Sequence, residues 1–331
     1  MSDVPEQFAA FVATRDDDEV AREVRQWRRD DLGDGDVTVH VEWSSVNYKD
    51  ALATIPKGQV ARISPLIPGI DLAGTVVASD SDAFGEGDAV LAHGYALGVA
   101  HHGGYAEYAR VPADWIVPLD GLSAKEAMTI GTAGFTAAMS VQRIERHGVA
   151  PDAGPVLVTG ASGGVGSMAV DLLAGLGYEV VASSGDAEAR DWLRARGATE
   201  VIDRLDADDI RPLAKQRWTA AVDCVGGAPL ARILSETATG GIVAASGNTA
   251  GLALETSVAP FILRGITLAG IDSANHPIDD RRELWARLTD DLRPRHLDAS
   301  QEVGLDELEA TLDAILRGET RGRVLVRIDG G

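Results

Sequence analysis

A glycine-spaced turn between an apolar strand and a helical stretch restricts this chain more than any other feature. Val156-Leu157-Val158 runs into Thr159-Gly160-Ala161-Ser162-Gly163-Gly164-Val165-Gly166, and helical character continues from Ser162 to Leu176. Glycines at 160, 163 and 166 have separate uses. Gly160 permits a tight turn, Gly163 lets backbone approach a pyrophosphate, and Gly166 permits close helix–strand packing. The N–H groups of Ser162, Gly163, Gly164 and Val165 around the first turn supply an anion site. The motif lacks the lysine of an ATPase loop, so it implies a dinucleotide rather than ATP.

The flanking sequence gives this turn its setting. Strands are expected at Glu179–Ala182, Val201–Ile202, Ala220–Asp223, Ile242–Ala245 and Ile266–Ala269. Helices are expected at Ala187–Arg196 and Pro229–Glu236. Alternation of this kind predicts a doubly wound parallel sheet covered on both faces, an α/β fold. Upstream the pattern differs. Phe8–Ala13, Val37–Trp43, Gly74–Ala78, Ala89–Ala92 and Gly104–Val111 are short strand-like runs separated by glycine and proline, which suggests a partly closed β-rich barrel. Ser123 with Glu126 three residues on forms a capping box opening a helix over Ser123–Met128. Two helices follow Arg281, the second over Leu305–Leu316, and a final strand is expected over Arg323–Ile328. The domain boundaries read as 1–122, 123–295 and 296–331.

Composition excludes several classes of function. The chain carries 51 acidic against 30 basic residues, a formal charge of −21, so binding to a polyanion such as nucleic acid is not expected. The bases are 26 Arg and only 4 Lys, and the acids 33 Asp and 18 Glu, a balance suited to a salt-rich cytoplasm where screening tolerates the charge. Cys224 is the sole cysteine, so no internal disulfide and no thiolate-rich metal site is expected, and His93, His101 and His102 alone make a weak case for metal. No leader-like segment and no membrane-spanning run is apparent, and a cytoplasmic location is expected.

Two further patches bear on chemistry. The second strand of the nucleotide fold ends Ser183-Ser184-Gly185-Asp186, where serines stand in the place of the acid that usually holds a ribose 2′-hydroxyl. Serines with Arg190 one turn later favour a 2′-phosphate and hence NADP, while Asp186 opposes it. Ser44-Ser45-Val46-Asn47-Tyr48-Lys49-Asp50 follows the Val37–Trp43 strand. Asn47 and Asp50 suit a helix cap, and Tyr48 is either a packing residue or a proton donor to a bound carbonyl.

Trp43–Asp50, Pro68-Gly69-Ile70-Asp71 with Ala73–Val76, Gly103–Glu107, Gly131–Ala137, the Gly160–Gly166 loop, Asp223–Gly226 and Pro260–Arg264 together resemble the zinc-free medium-chain dehydrogenase/reductases. Within them the chain is similar to the quinone-oxidoreductase-like branch that includes NADPH-dependent bacterial acryloyl-CoA reductases. The resemblance implies a GroES-like catalytic domain joined to a Rossmann domain, with the C-terminal strand returning to the first. It implies Tyr48 and Asn47 facing the nicotinamide, Thr132 and Thr136 at the domain cleft, and Asn248 and Arg264 as cofactor contacts, Arg264 to an anion. The arginine of the family's Ser-Gly-Arg segment is Asp186 here, which leaves Arg190 to take its place. The implied activity is reduction of an activated C=C bond, most simply acryloyl-CoA to propanoyl-CoA. A quinone or general enone reductase is the alternative enzyme, and a nucleotide-binding protein without chemistry the alternative outside enzymes. A homodimer is expected from the same resemblance and from an open sheet edge near Ile266–Ala269.

Overall fold

The computed structural model describes residues 4–297 and 301–328. Two compact units divide the chain, the first formed by Met1–Thr132, Ala274–Thr289 and Leu297–Gly331, the second by Ala133–Ser273 and Asp290–His296. The stretch 274–289, which the sequence assigned with the nucleotide fold, is thus grouped with the N-terminal residues.

The first unit opens on a hairpin of β1 (Gln7–Asp16) and β2 (Glu19–Arg28), paired over ten residue pairs from Gln7↔Arg28 to Asp16↔Glu19. The sequence reading anticipated only Phe8–Ala13 of it. Strand β2 carries charges along most of its length and is held by main-chain pairing. Arg22 within it bonds Asp313 at 2.7 Å and Glu309 at 3.1 Å. After it come β3 (Val37–Ser45), α1 (Tyr48–Ala53), β4 (Asp71–Ser79), β5 (Ala89–His93), β6 (Tyr108–Val111) and β7 (Ile116–Pro118). Strand β6 is shorter than expected: the chain before it turns to β1, where Ala106 forms an isolated antiparallel bridge with Ala10.

A long helix, α2 (Ala124–His147), then covers the Gly131–Ala137 segment, with one non-helical residue, Gly131, at φ 50° and ψ −161°. Ser123 and Glu126 form the expected box at its start, Ser123 N and Oγ each donating to Glu126 at 2.9 Å.

The second unit holds β8 (Val156–Thr159), α3 (Gly164–Gly175), β9 (Val180–Ser183), α4 (Arg190–Ala195), β10 (Glu200–Ile202), β11 (Trp218–Asp223), α5 (Gly227–Glu236), β12 (Thr237–Ala245), α6 (Ala259–Arg264) and β13 (Thr267–Gly270). Its six strands are parallel in the order β10-β9-β8-β11-β12-β13, the doubly wound order in which the first strand lies beside the second and the fourth. The core is aliphatic, with Leu157, Val181, Ala221 and Val243 of four neighbouring strands buried together.

The remaining elements are α7 (Ile278–Thr289), β14 (Gln301–Val303), α8 (Leu308–Leu316) and β15 (Val324–Arg327). Strand β15 pairs antiparallel with β3 through Leu325↔Ser45, Val326↔Ser44 and Arg327↔Trp43, while β6 takes Val37–His40 of β3. The return of the last strand to the first unit is therefore a pairing to half of one strand. The expected β-rich unit and parallel sheet are both present. Among the described residues, no helix is long and apolar enough to cross a membrane.

In the second unit, buried Asp171 of α3 accepts from the main-chain N–H groups of Arg295 and His296, both at 3.0 Å, and from His296 Nδ1 at 3.0 Å. Removing that acceptor leaves three partly buried donors without their partner, and such losses cost about 1 kcal/mol each. Asp171→Ala is expected to lower the urea midpoint and to speed amide exchange at Arg295 and His296. Parent-like exchange at both amides would show that the carboxylate does not hold this segment.

Candidate active site

In the first unit the polar residues gather around one buried carboxylate. Asp71, at the start of β4, is 0 % exposed, and four neighbouring residues address its carboxylate. Ser45 Oγ donates to it, Asn47 Nδ2 donates at 2.9 Å, Thr132 Oγ1 at 2.5 Å and Thr132 N at 3.1 Å, and Arg323 Nη2 stands 3.6 Å away. Arg323 is itself buried and donates to Ser45 Oγ at 2.6 Å, Asn47 Oδ1 at 3.2 Å and the Thr129 carbonyl at 3.0 Å. Buried charges need this many partners, because each loses several kcal/mol of hydration. Gly131 lies against the cluster. A Cβ there would stand 2.6 Å from both Asp71 Oδ2 and Arg323 Nη2, and its positive φ also requires glycine.

A second carboxylate, Asp50, closes the start of α1. It accepts from Asn47 N at 2.8 Å, Ile70 N at 2.8 Å and Tyr105 Oη at 3.0 Å. Burial, reinforced by the nearby Asp71 charge, pushes Asp50 up to about 7 despite those donors. Asn47 and Asp50 together make the capping box that fixes where α1 begins, as the sequence implied. Tyr48 is the first residue of that helix and is 36 % exposed, with no hydrogen bond to another described residue. Lys49 follows it one helical step away.

Beside Thr132, His93 at the end of β5 lies with its Nδ1 3.3 Å from Thr132 Oγ1. Trp285 Nε1 donates to His93 Nε2 at 2.8 Å, and Arg281 Nη1 lies 2.8 Å from Nδ1 and 3.0 Å from Nε2. Burial and the Arg281 guanidinium hold this histidine well below its ordinary value, so it is neutral.

In the second unit the glycine turn has the shape its spacing implies. Gly160 follows β8 at φ +57°, and a Cβ on Gly166 would stand 2.3 Å from the Gly160 carbonyl, so turn and helix touch. Gly163 is the N-cap of α3 with no side chain to satisfy the first turn. The N–H groups that open a helix have no intrahelical partner, so Gly164, Val165 and Gly166 present donors there. Thr159 Oγ1 donates to Asp223 at 2.7 Å, joining the ends of β8 and β11, where the strand order reverses. Ser184 Oγ donates to Ser162 Oγ at 2.9 Å, which ties the end of the second strand to the glycine turn. Ser183 Oγ instead donates to the Asp203 carbonyl at 3.0 Å. Asn248 lies past the end of β12, its Cα 3.2 Å from where a Cβ on Gly226 would stand. These groups fit a dinucleotide.

Several expected site residues have other employment. Arg264 was expected on a cofactor anion. Its Nη1 donates to the carbonyls of Ser235 at 2.8 Å and Thr237 at 3.0 Å, and its Nη2 to that of Ala214. Those carbonyls lie around the start of β12, the opposite end of the strands from the glycine turn, so Arg264 closes a loop instead. Arg190 donates to the Val201 carbonyl at 2.7 Å and pairs with Asp203 at 2.5 Å, so its charge is already met. Asn47 and Thr132 direct their donors at Asp71. Thr136 Oγ1 donates to Ser273 Oγ at 2.7 Å. Asp71, Arg323, Ser45 and Gly131 are the members that sequence reasoning did not single out as site residues.

Comparison with known proteins follows the same division. Residues 33–121 match the alcohol dehydrogenase GroES-like domain, and residues 164–290 the zinc-binding dehydrogenase domain. The putative quinone oxidoreductase YhfP of Bacillus subtilis is 49% identical over 97% of this chain and 99% of its own. Its crystal structure with NAD bound has a TM-score of 0.94 to this one, covering 98% of this chain and 100% of that one. The acrylyl-CoA reductase AcuI of Ruegeria pomeroyi is 45% identical over 97% of this chain and 99% of its own. The yhdH oxidoreductase of Salmonella enterica in complex with NADP is 47% identical with a TM-score of 0.94, over 97% of this chain and 100% of that one. Zinc does not fit the residues present. Among the described residues no group of three or more His, Cys, Asp or Glu is placed to hold a metal. Burial and the Asp223 carboxylate also push the Cys224 thiol up.

The raised Asp50 makes a signed prediction. Between its ordinary value of 3.8 and about 7 the folded state holds a proton that the unfolded chain releases. The group's contribution is therefore present at low pH and lost as pH rises through about 7. Urea midpoints of the parent and of Asp50→Asn are expected to diverge with pH across that window, the parent falling relative to the variant. A constant difference would mean that Asp50 is ionised throughout.

Proposed function

Because the chain belongs to the quinone-oxidoreductase-like branch of the medium-chain dehydrogenase/reductases, we propose that it reduces an activated C=C bond with NADPH, and that its substrate is acryloyl-CoA. The observation that carries the chemical part is the Tyr48 phenol, exposed and uncommitted at a helix start whose position the buried Asp71–Arg323–Asn47 cluster determines. Asn47 and Thr132 have no such freedom.

NADPH, when bound, supplies the hydride that reaches the β-carbon of the enoyl thioester. Negative charge then develops on the thioester oxygen, and the Tyr48 hydroxyl donates to it. A proton reaching the α-carbon completes propanoyl-CoA. The conjugated carbonyl accepts the charge. A preorganised donor aimed at such an oxygen lowers the barrier without reorganising at the moment of reaction.

A charge pattern supports a CoA ester over a quinone. From Trp43 to Ser79 the only acids are Asp50 and Asp71, both fully buried. The cations of that stretch, Lys49, Lys57 and Arg62, form no ion pair with a described residue. In a chain of charge −21, such a stretch suits the phosphates of CoA and offers nothing to an uncharged ring.

The reading extends to a cytoplasmic homodimer adapted to high salt. Among the described residues strand β13 ends its sheet with one edge unpaired, and Leu252, Val258, Ile262 and Leu263 are exposed in the segment leading to it. A second copy would cover both. Sedimentation and thermal unfolding from about 0.1 to about 3 M KCl test this, because screening should relieve self-repulsion. A dimer with a rising midpoint is expected, and a monomer with a flat midpoint would remove this part.

Turnover decides the chemistry. Tyr48→Phe is expected to lower kcat for acryloyl-CoA by about 10²–10³ while NADPH binding is retained. Lys57→Glu with Arg62→Glu is expected to raise KM for acryloyl-CoA and leave that for benzoquinone unchanged. A Tyr48→Phe kcat within about threefold of the parent would return Tyr48 to a packing role. Turnover of benzoquinone alone would make the protein a quinone reductase.

A further inference from the structure

Strand β2 has a free side. Within β1 the main-chain groups of Ala9, Phe11 and Ala13 turn away from the hairpin. Phe11 N donates to the Tyr105 carbonyl at 2.9 Å, Ala13 N donates to that of Leu66 at 2.8 Å, and the Ala9 carbonyl accepts from Glu107 N at 3.1 Å. Antiparallel strands alternate in this respect, so β1 meets β2 through Phe8, Ala10, Val12, Thr14 and Asp16, whose partners are Trp27, Arg25, Glu23, Ala21 and Glu19. The main-chain N–H and C=O groups of Val20, Arg22, Val24, Gln26 and Arg28 therefore point outward. None of them bonds to a described residue.

Sheet edges are usually blunted by a bulge, a proline or a lysine. The β1–β2 register is unbroken, and β2 contains neither proline nor lysine. Its charges have a different arrangement. Glu23 and Arg25 flank Val24, which is 44 % exposed, and their own exposed side chains meet at 3.3 Å. Arg22 is already turned to Asp313 and Glu309 of α8. With Glu19 and Glu23 against Arg22, Arg25 and Arg28, the strand is slightly basic in a chain of charge −21. Two copies can approach here without the repulsion that acts over the rest of their surfaces.

We infer that β2 is a docking edge for β2 of a second copy, the two strands running antiparallel about a two-fold axis at Val24. Each outward-facing residue then meets another across the axis: Val24 meets Val24, Arg22 meets Gln26, and Val20 meets Arg28. These become the hydrogen-bonded pairs of a new ladder, with about ten main-chain bonds. Glu23 falls opposite Arg25 in the intervening pairs, where side chains stand closest, and Arg25 falls opposite Glu23. An interface of two-fold symmetry must be self-complementary in this way. The neighbouring registers are not. Centring the axis on Glu23 sets Glu23 against Glu23, and centring it on Arg25 sets Arg25 against Arg25. The pairing joins two hairpins into one continuous sheet. It is independent of the β13 edge and of the proposed chemistry.

Charge exchange tests it. The parent, Glu23→Arg, Arg25→Glu, the double variant carrying both, Val24→Pro and Ile262→Asp are followed by sedimentation equilibrium and by amide exchange. Edge interfaces are small, so concentration is taken from about 1 to about 500 μM. In the parent, the amides of Val20, Arg22, Val24, Gln26 and Arg28 are expected to slow as concentration rises. Either single charge reversal sets like charges across the axis and should weaken association through this edge by about tenfold or more. The double variant alone, and the two single variants mixed, should regain it, because each restores opposite charges. Val24→Pro removes an outward N–H and spares the bonds to β1, so it should abolish the protection and retain the hairpin. Ile262→Asp, in the segment before β13, should leave the protection unchanged. Outward amides that exchange at one rate at every concentration would overturn the pairing. Protection that survives both single reversals, or that Ile262→Asp alone removes, would overturn it as well.

Discussion

A carboxylate removed from water must be met by donors from several directions, or it does not remain charged. Asp71 satisfies that condition with groups drawn from β3, the loop before α1, α2 and the residue preceding β15. The demand explains features that would otherwise look unrelated. It accounts for a glycine at 131, where a side chain would push Asp71 and Arg323 apart, and for the break in helical geometry there. It also accounts for the orientation of Asn47, whose amide bridges Asp71 and Arg323 while its main chain starts α1. Replacing a buried pair of this kind by apolar residues is often harmless to stability, whereas removing one partner is not. Its use here is positional, because it determines where the first turn of α1 points.

The polar clusters of the two units share one economy of design. In each, most polar groups bond to one another. Around Asp71 that leaves the Tyr48 phenol exposed. Mutual bonding among the rest keeps those groups from competing for a ligand and restricts the backbone that presents the free one. Ser184 and Ser162 do this across two loops with one hydrogen bond, and Asp203 does it by holding Arg190.

Much of the fold was legible because it is written locally. The strand–turn–helix at 156–175 declares itself through periodicity and glycine spacing within twenty residues, and the parallel order follows from repeated units. What was not legible depends on partners remote in sequence. Strand β2, EVAREVRQWR, reads as a charged surface stretch because its structure comes from main-chain pairing with β1 and not from a buried face. The break in α2 at Gly131 follows from Asp71 and Arg323, both remote in sequence. Arg264 resembles an anion contact until the carbonyls of Ala214, Ser235 and Thr237 are seen around it. The motif around Asn47 and Tyr48 was visible, but their different employment was not, since that depends on Asp71 and Arg323.

The pairing of β15 with half of β3 also orders events in time. A ribosome delivers β3, β4 and Asp71 long before Arg323, which lies 278 residues beyond Ser45. Until Val324–Arg327 emerges, part of one edge of β3 has no strand beside it and Asp71 lacks its cation. The second unit, by contrast, has all six strands synthesised by Gly270. Domains generally form as their residues become available, so the nucleotide-binding sheet is positioned to mature first, although its sequence comes second. The N-terminal unit must wait, incomplete and with an open strand edge, for a short stretch of chain made near the end of synthesis. That interval is when the nascent protein is most exposed to aggregation, and when a bound chaperone would have most to protect.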